Sequence, residues 1–167
     1  MSKVGAEAIL SPNNHRYGIP TMARFTDTLI QDHRDCDHAF SQAESLLNAG
    51  LRDEAIEAFD LFVSRTELHF AREEEVLFPE FERATGQAAG PTMVMRSEHV
   101  RIRELYREMA ACLRNGDDAG FLGLGETLFI MLQQHNGKEE QILYPMSDQV
   151  LAHRQADLLD KLTFAVG

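Results

Sequence analysis

Two stretches of the chain share one pattern of residues that could bind a metal ion. They run from His69 to Pro79 and from His135 to Pro145, and both read His-x-x-x-Glu-Glu-x-(Val/Ile)-Leu-(Phe/Tyr)-Pro. Residues four apart lie on the same face of a helix, so each stretch can direct an imidazole and a carboxylate at one point. These ligand types suit iron, manganese or zinc better than calcium or magnesium. One such pair is also typical of a solvated helix, but the repeat of the whole phrase favours a metal site.

Two further histidines extend the pattern to four helices. His33 precedes His69 by 36 residues, and His99 precedes His135 by 36 residues, so the chain is composed of two similar helix pairs. The points midway between successive histidines fall at three glycine-containing turns. In an up-down-up-down bundle, residues equidistant from a turn lie at the same height, which predicts one layer of histidines. The predicted metal ligands are His33, His69, Glu73, His99, His135 and Glu139.

The fold that would position these ligands is all-α. Apolar residues recur at helical spacing and no segment alternates like a strand, which predicts an up-down-up-down four-helix bundle with a short C-terminal helix. An irregular N-terminal arm is expected over residues 1–20, and the bundle domain with its C-terminal helix over residues 21–167. Pro79 is expected to kink or loosen the last turns of its helix, and Pro145 to close or kink the fourth helix. The predicted helices span residues 21–48, 53–83, 92–114, 117–144 and 147–162.

Composition restricts the class of protein and its partners. A hydrophobic content of 44% and a charged content of 26% are typical of soluble globular proteins. No apolar run approaches the roughly 20 residues of a membrane span, and the first residues lack the apolar region of a secretory signal. We therefore expect a cytoplasmic protein without a membrane partner. The net charge of −11 disfavours a nucleic-acid partner, which requires clustered lysine and arginine.

The two cysteines fit a reducing compartment. Cys36 and Cys112 lie on parallel helices of the predicted bundle, and their heights would differ by about 15 Å at 1.5 Å per residue. A disulfide requires Cα atoms within about 7 Å of each other. The sequence therefore predicts two free cysteines and no disulfide within the chain.

With these residues assembled, the chain resembles the hemerythrin-like proteins, and the broader HHE cation-binding class more closely than the oxygen carriers. The resemblance covers about residues 25–146 and rests on the paired, ordered His and His-x-x-x-Glu motifs. It implies two Fe ions in a non-haem di-iron centre, joined by an oxo or hydroxo bridge when oxidised. By this resemblance Glu73 and Glu139 would bridge the irons. It also implies that each iron is served by one histidine pair, His33 with His69 and His99 with His135.

The chain departs from the oxygen carriers on its third and fourth helices. The carriers place two histidines four apart on the third helix, whereas Met95 and Arg103 flank His99 at that spacing here. Their last carboxylate follows the histidine by five residues, a place held here by Glu140. On an ideal helix, a residue four after the histidine lies closer to its face than a residue five after it. Glu139 is therefore the favoured bridging carboxylate, and Glu140 is the alternative. A centre with only four histidines has more open positions, which favours redox chemistry or the binding of NO or peroxide over reversible oxygen carriage.

The vacant ligand position on the third helix has several candidates. His38, Asp37 or a water molecule are the alternatives for it. Asp37 also occupies a position that suits a structural ion pair with Arg103, which holds the equivalent place in the second half. Tyr106 points inward just beyond the layer, either to pack there or to donate a hydrogen bond to a bound oxygen species.

Acidic neighbours of the ligands are candidates for an outer layer. Asp32 and Glu98 precede paired histidines in the two halves and could accept hydrogen bonds from imidazole N–H groups. Glu74, beside Glu73, is expected either in the same outer layer or in solvent. A ferritin-like centre is excluded, because its Glu-x-x-His motif is absent: the residues three before the later histidines are Thr66, Arg96 and Leu132.

Three functions are consistent with such a centre. The leading interpretation is a small protein that binds or senses O2 or NO, in redox or nitrosative stress, with peroxide as a further small ligand. The alternatives are a di-iron enzyme acting as a ferroxidase or in peroxide or NO detoxification, and an iron-responsive regulatory module. Ligand types do not separate iron from manganese or zinc, and the sequence does not predict the oligomeric state.

Overall fold

The computed structural model describes residues 24–164, in which all regular elements are helical. The arm predicted for residues 1–20 lies outside the described residues. Two π-helical segments, Arg72–Leu77 and Glu139–Leu143, continue one α-helix directly into the next, and the 3-10 turn Ala152–Arg154 precedes the last helix. The α-helices are α1 (Phe25–Asn48), α2 (Arg52–Ala71), α3 (Phe78–Thr85), α4 (Pro91–Asn115), α5 (Asp118–Lys138), α6 (Tyr144–Val150) and α7 (Gln155–Phe164).

These helices form four long rods: α1, the joined α2 and α3, α4, and the joined α5 and α6. The chain reverses between rods near Gly50, Gly86 and Gly116, each of which has a positive φ. α1 packs along α2 and α4 along α5, while α2 also contacts α4 and α1 contacts α5. The predicted all-α four-helix bundle is therefore confirmed. Within residues 24–164 no helix is long and apolar enough to cross a membrane.

The core consists of two apolar clusters separated along every rod by the histidine layer. The turn-side cluster lies towards Gly50 and Gly116 and includes Phe40, Phe59, Phe62, Met109 and Phe121. The far-side cluster lies beyond the histidines and includes Phe25, Leu29, Phe78, Phe81 and Tyr144, together with Leu158 and Leu162 of α7. The polar layer is thus enclosed by apolar side chains on both sides, which excludes water from it.

Neither proline ends its rod: the helix through Pro79 continues as predicted, with its turn loosened to a π-helical one, whereas closure of the fourth helix at Pro145 does not occur. The second rod continues past Pro79 to Thr85, and the fourth continues past Pro145 to Val150. A proline ring conflicts with the backbone carbonyl one turn earlier in an α-helix. The wider π-helical turn before each proline accommodates the ring, so the rod continues.

The fourth rod also takes over part of the predicted last helix. Residues 147–150 belong to α6, and α7 begins only at Gln155 after the 3-10 turn. α7 packs against α1 and against the π-helical segment of the second rod. The predicted short C-terminal helix is therefore present, but it starts later than the sequence pattern indicated.

Two glycines are expected to respond oppositely to the same substitution. Gly116 ends α4 with φ +75°, whereas Gly123 is exposed within α5 and has no atom within 4 Å of a built Cβ. Gly116→Ala should destabilise the fold by about 1–2 kcal/mol, because an L side chain resists this conformation. Gly123→Ala should stabilise it by about 0.5–1 kcal/mol through helix propensity. Urea denaturation of both variants measures the difference, and shifts of the same sign would contradict this account.

Candidate metal centre

Four histidines, one from each rod, meet in a single buried layer. His33 lies on α1, His69 on α2, His99 on α4 and His135 on α5, and all four are buried. The Nε2 atoms of His33 and His69 lie 3.0 Å apart, and those of His99 and His135 lie 3.2 Å apart. The structure therefore brings together the four histidines that the sequence placed at one height.

Glu139 reaches both histidine pairs from the fourth rod. Its fully buried carboxylate places Oε2 3.1 Å from Nε2 of His33 and Oε1 3.2 Å from Nε2 of His135. Glu140, the alternative at this place, has a side chain that is 39% exposed and contacts Nδ1 of His33 instead, at 2.8 Å. The carboxylate inside the layer is therefore that of Glu139, and Glu140 lies behind a histidine.

Glu73 takes the equivalent place on the second rod. Its side chain is fully buried, and its Oε2 lies 3.4 Å from Nε2 of His69 and 3.3 Å from Nε2 of His99. The potential ligand atoms form two groups, each with members within 4.8 Å of one another, and Glu139 belongs to both. The groups are His33, His69 and Glu139, and Glu73, His99, His135 and Glu139.

The layer contains buried oxygen atoms that the surrounding protein leaves unsatisfied. Oε2 of Glu73 and Oε1 of Glu139 accept no hydrogen bond from any described residue. An unsatisfied buried acceptor costs about 1–3 kcal/mol, and more when it is charged. A cation between the two carboxylates and the imidazole nitrogens would satisfy these atoms. The donor set of imidazole nitrogen and carboxylate oxygen fits iron, manganese or zinc.

Each histidine also directs its second ring nitrogen, Nδ1, at a carboxylate. A carboxylate in this position retains the proton on Nδ1, orients the ring and leaves Nε2 free to bind a cation. The sequence predicted this outer role for Asp32 and Glu98 and gave it as one alternative for Glu74, and the structure adds Glu140. The pairs are His33–Glu140 at 2.8 Å, His69–Asp32 at 3.4 Å, His99–Glu74 at 2.7 Å and His135–Glu98 at 3.0 Å.

Cationic side chains hold three of these outer carboxylates in turn, in the pairs Asp32–Arg72, Glu98–Lys138 and Glu74–Arg103. Arg72 and Lys138 are separated by 66 residues, as are His33 and His99, so this support repeats between the halves. Losing an outer partner of a metal-binding histidine typically reduces metal affinity about 10–100-fold. The support therefore contributes to holding the four rings in position.

The predicted ion pair between Asp37 and Arg103 is wrong. Arg103 binds Glu67 at 3.0 Å and Glu74 at 2.8 Å, so it is held by two carboxylates of the neighbouring second rod. Asp37 is half-buried, and its burial, together with the charge of Glu140, raises its pKa above the ordinary value. Asp37 is therefore left beside the layer as a carboxyl group that retains its proton more readily than usual.

Burial and charge make the histidines inequivalent when no cation is bound. Burial lowers the pKa of His33 and of His135 to about 4, and repulsion from neighbouring imidazoles acts in the same direction. Burial alone would also lower the pKa of His99, but the neighbouring carboxylates of Glu73 and Glu74 raise it above its ordinary value. His99 thus retains a second proton more readily than His33 or His135 does.

The two inner carboxylates are inequivalent as well. Burial would raise the pKa of Glu73, but the facing imidazoles of His69 and His99 outweigh it and hold this pKa below its ordinary value. Burial and the charge of Glu73 raise the pKa of Glu139 well above its ordinary value. Without a cation, Glu139 therefore holds a proton much more readily than Glu73 does.

The two halves differ in what covers their histidines. Phe70 stacks on His99, with ring centroids 3.7 Å apart. Asn136 holds the equivalent place 66 residues later, and a cavity of about 10 Å³ lies there beside His33. Asp37 also lines this cavity. A cavity of this size admits about one water-sized molecule, so a small ligand could approach this side of the layer.

Two other candidates from the sequence do not join the layer. His38 is exposed on α1, and its ring is not among the clustered ligands. Tyr106 is buried in the turn-side cluster, and its hydroxyl makes no hydrogen bond with a described residue. Neither residue is placed to complete the centre.

Tyr144 enters the layer although sequence reasoning missed it. Its hydroxyl donates a hydrogen bond to Oε1 of Glu73 at 2.8 Å. The residue follows Glu139 by five places, which an ideal helix would turn away from the ligand face. The sign that could have identified it is the aromatic position before the proline of the repeated phrase, which is Phe78 in one half and gains a hydroxyl as Tyr144 in the other.

Comparison with known proteins identifies a family whose model covers the residues of this layer. The family model of the hemerythrin HHE cation-binding domain matches residues 24–147, which include every residue of the layer. A curated relative, an uncharacterized hemerythrin-like protein of Schizosaccharomyces pombe, is 27% identical over 137 residues. That match covers 81% of this chain and 64% of the relative, so the chain spans less than two thirds of the relative's length. No solved structure matches the chain significantly.

Proposed function

The chain belongs to the hemerythrin HHE cation-binding domain family, and from this premise we propose that its layer holds two iron ions and binds O2 or NO. The observation that supports the proposal is the pair of unsatisfied buried oxygens, Oε2 of Glu73 and Oε1 of Glu139, among four inward-facing imidazoles. Ordinary core packing gives no reason to bury such a set. Cation binding follows from the family, whereas the metal, the number of ions and the small ligand are our proposals.

The residues divide between two ions according to the two ligand groups. His33 and His69 would hold one ion, and His99 and His135 the other. Glu139 would bridge them, because its two oxygens face different histidine pairs. Glu73 would be the second bridge, since it lies within 3.4 Å of a histidine from each pair.

Two iron ions in such a centre supply reversible electron transfer and an open position for a small ligand. The chain contributes the approach to that position and the exclusion of water. Phe70 covers His99, while the small cavity beside His33 is lined in part by the polar Asn136 and Asp37. We infer that O2 or NO would approach through this cavity, where Asn136 can donate a hydrogen bond.

Asp37 favours a second candidate function, an enzyme that reduces peroxide or NO. Such reductions consume protons, and Asp37 lines the cavity with a pKa raised by burial and by the charge of Glu140. Its carboxyl oxygen would deliver a proton to a molecule held there. With an external one-electron reductant supplied to restore the irons, multiple turnovers of peroxide or NO that fall in Asp37→Asn, at unchanged metal content, would support the enzyme. A single stoichiometric reaction would favour the binding protein.

The experiment that tests the leading function is metal analysis of the purified protein, followed by optical spectra of the reduced form exposed separately to O2 and NO. We expect about two irons per chain, consistent with the two ligand groups, and a new charge-transfer band with at least one of the two gases. A protein that takes up iron but gives no new band with either gas would contradict the binding function. A protein that retains no cation would contradict the metal centre itself.

Cation affinity is expected to rise with pH. Without a cation, Glu139 and His99 have raised pKa values, so each retains a proton more readily and a cation must compete with these protons. Protons compete more strongly at low pH, so affinity should increase by up to about tenfold per pH unit for each proton released. Calorimetric titration with zinc, which is redox-inert, between about pH 6 and 8 measures this slope. An affinity independent of pH would show that these two groups are already deprotonated.

A further inference from the structure

We propose that the Tyr144 phenolate oxygen is an additional metal ligand, serving the ion held by His33 and His69. This inference rests on the proposed function, because it needs a metal in the layer. Tyr144 lies one residue beyond the π-helical segment of the fourth rod, and its ring is 1% exposed. The backbone N–H of Tyr144 bonds to the carbonyl of Glu139, five residues back. The wide turn therefore returns the tyrosine to the face that Glu139 occupies.

The position of the hydroxyl is that of a ligand atom. Oη of Tyr144 lies 2.8 Å from Oε1 of Glu73, 3.3 Å from Nε2 of His33 and 3.4 Å from Oε2 of Glu139. Two ligands bound to one ion at about 2.0–2.2 Å are separated by roughly 2.8–3.6 Å at octahedral or tetrahedral angles. The three distances from the hydroxyl lie in this range, as does the 3.0 Å between Nε2 of His33 and Nε2 of His69.

Charge balance favours a phenolate over a neutral phenol in this place. Two divalent cations bring twice the charge that Glu73 and Glu139 neutralise, in a layer enclosed by apolar clusters. An uncompensated buried charge is costly, and a bound cation reverses the usual preference of a buried acid for its neutral form. On binding, the Oη–H bond of Tyr144 breaks, an oxygen–metal bond forms, and one proton per chain leaves to solvent.

Only one of the two ions would gain this ligand, because the equivalent position in the other half of the repeat is a phenylalanine. Tyr144 stacks on His33 with ring centroids 5.8 Å apart and an angle of 21°, and Phe78 stacks on His99 at 5.8 Å and 23°. The two rings are therefore equivalent in place, but Phe78 has no hydroxyl. A hard, anionic phenolate stabilises a trivalent ion over a divalent one. The two ions of the centre would consequently differ in reduction potential, with the ion beside Tyr144 the harder to reduce.

The test compares the wild-type protein with Tyr144→Phe and with Tyr106→Phe, which removes a buried phenol outside the layer. Each protein is titrated with zinc while the ultraviolet difference absorption of tyrosinate is recorded. The air-oxidised iron form is then examined by resonance Raman spectroscopy for tyrosinate ring modes. We expect both signals in the wild-type protein and in Tyr106→Phe, and neither in Tyr144→Phe at equal metal content.

The outcomes separate this inference from the function on which it rests. Full metal occupancy without a tyrosinate signal in the wild-type protein overturns the ligand role and leaves the hydroxyl as a hydrogen-bond donor to Glu73. A signal that persists in Tyr144→Phe also overturns it. A protein that binds no metal overturns this inference and the proposed centre together. Because the wild-type spectra alone can refute the proposal, it stays testable even if Tyr144→Phe folds poorly.

Discussion

Glu139→Gln is expected to weaken metal binding at least about 100-fold, more than the loss of an outer partner of a metal-binding histidine would. The substitution replaces the one side chain whose two oxygens face both histidine pairs. An amide cannot bridge two cations as a carboxylate does, because its nitrogen carries protons and no available lone pair. We therefore expect both ions to be lost or strongly weakened. Zinc titration by calorimetry and iron content after purification measure the effect.

The same variant should leave the metal-free fold almost unchanged. Burial and the charge of Glu73 raise the pKa of Glu139, so this side chain favours its neutral form when no cation is bound. Glutamine has nearly the same shape and the same lack of charge. Equal urea midpoints of the metal-free wild-type and variant proteins would therefore separate lost ligation from lost folding.

Glu140→Gln provides the matched control, because it makes the same chemical change one residue away. Glu140 is partly exposed and contacts only the outer nitrogen of His33 among the layer's histidines. Glutamine keeps an acceptor oxygen there, so affinity should fall by no more than about tenfold, at the mild end of outer-partner effects. A larger loss in Glu140→Gln than in Glu139→Gln would show that the two glutamates have been assigned the wrong roles.

The histidine layer could be predicted from the sequence because it depends only on counting residues between turns. His33 and His69 are equidistant from one turn, and His99 and His135 from another. In antiparallel rods this alone fixes a common height, whatever the side-chain conformations. Glu73 and Glu139 then follow at a helical spacing of four, near the start of the two π-helical segments, where the shift in register is still small.

The residues beyond Glu139 could not be placed in the same way. An ideal helix would turn Ile142 inward, but Ile142 is 53% exposed and Leu143 is buried in its place. The π-helical segment inserts one residue into the turn, so every later position shifts by about 100° around the rod. Tyr144 reaches the layer for the same reason. The proline that marks this turn predicted a disturbance but not its form.

A second limit on prediction from the sequence is that several carboxylates compete for one cationic side chain. The spacing of Asp37 and Arg103 allowed an ion pair, yet Arg103 binds Glu67 and Glu74. A long, flexible arginine selects among all carboxylates within reach, and two on the neighbouring rod outcompete one elsewhere. Helix patterns identify which face a residue occupies, but the choice of partner requires the packed rods.

Removing the metal is expected to lower the melting temperature by about 10 °C for each occupied site. A ligand present at about 1,000 times its dissociation constant stabilises a fold by roughly 4 kcal/mol, and each kcal/mol is worth about 2–4 °C in a domain of this size. The physical source is the layer itself, where Oε2 of Glu73 and Oε1 of Glu139 have no hydrogen-bond donor among the described residues. Thermal melts with zinc, with ferrous iron and with excess chelator measure the shift.

Glu139→Gln supplies the control for this experiment, because metal addition should leave its melting temperature nearly constant. A shift of the same size in the variant would mean that the metal binds elsewhere on the acidic surface. Equal melting temperatures of the wild-type protein with and without metal would exclude a regulatory module that acts by coupling iron occupancy to folding. A large shift would make that regulatory role physically available, because the four rods contribute every ligand of the layer. Losing the metal would then loosen all four rods at the height where α7 also packs on the second rod.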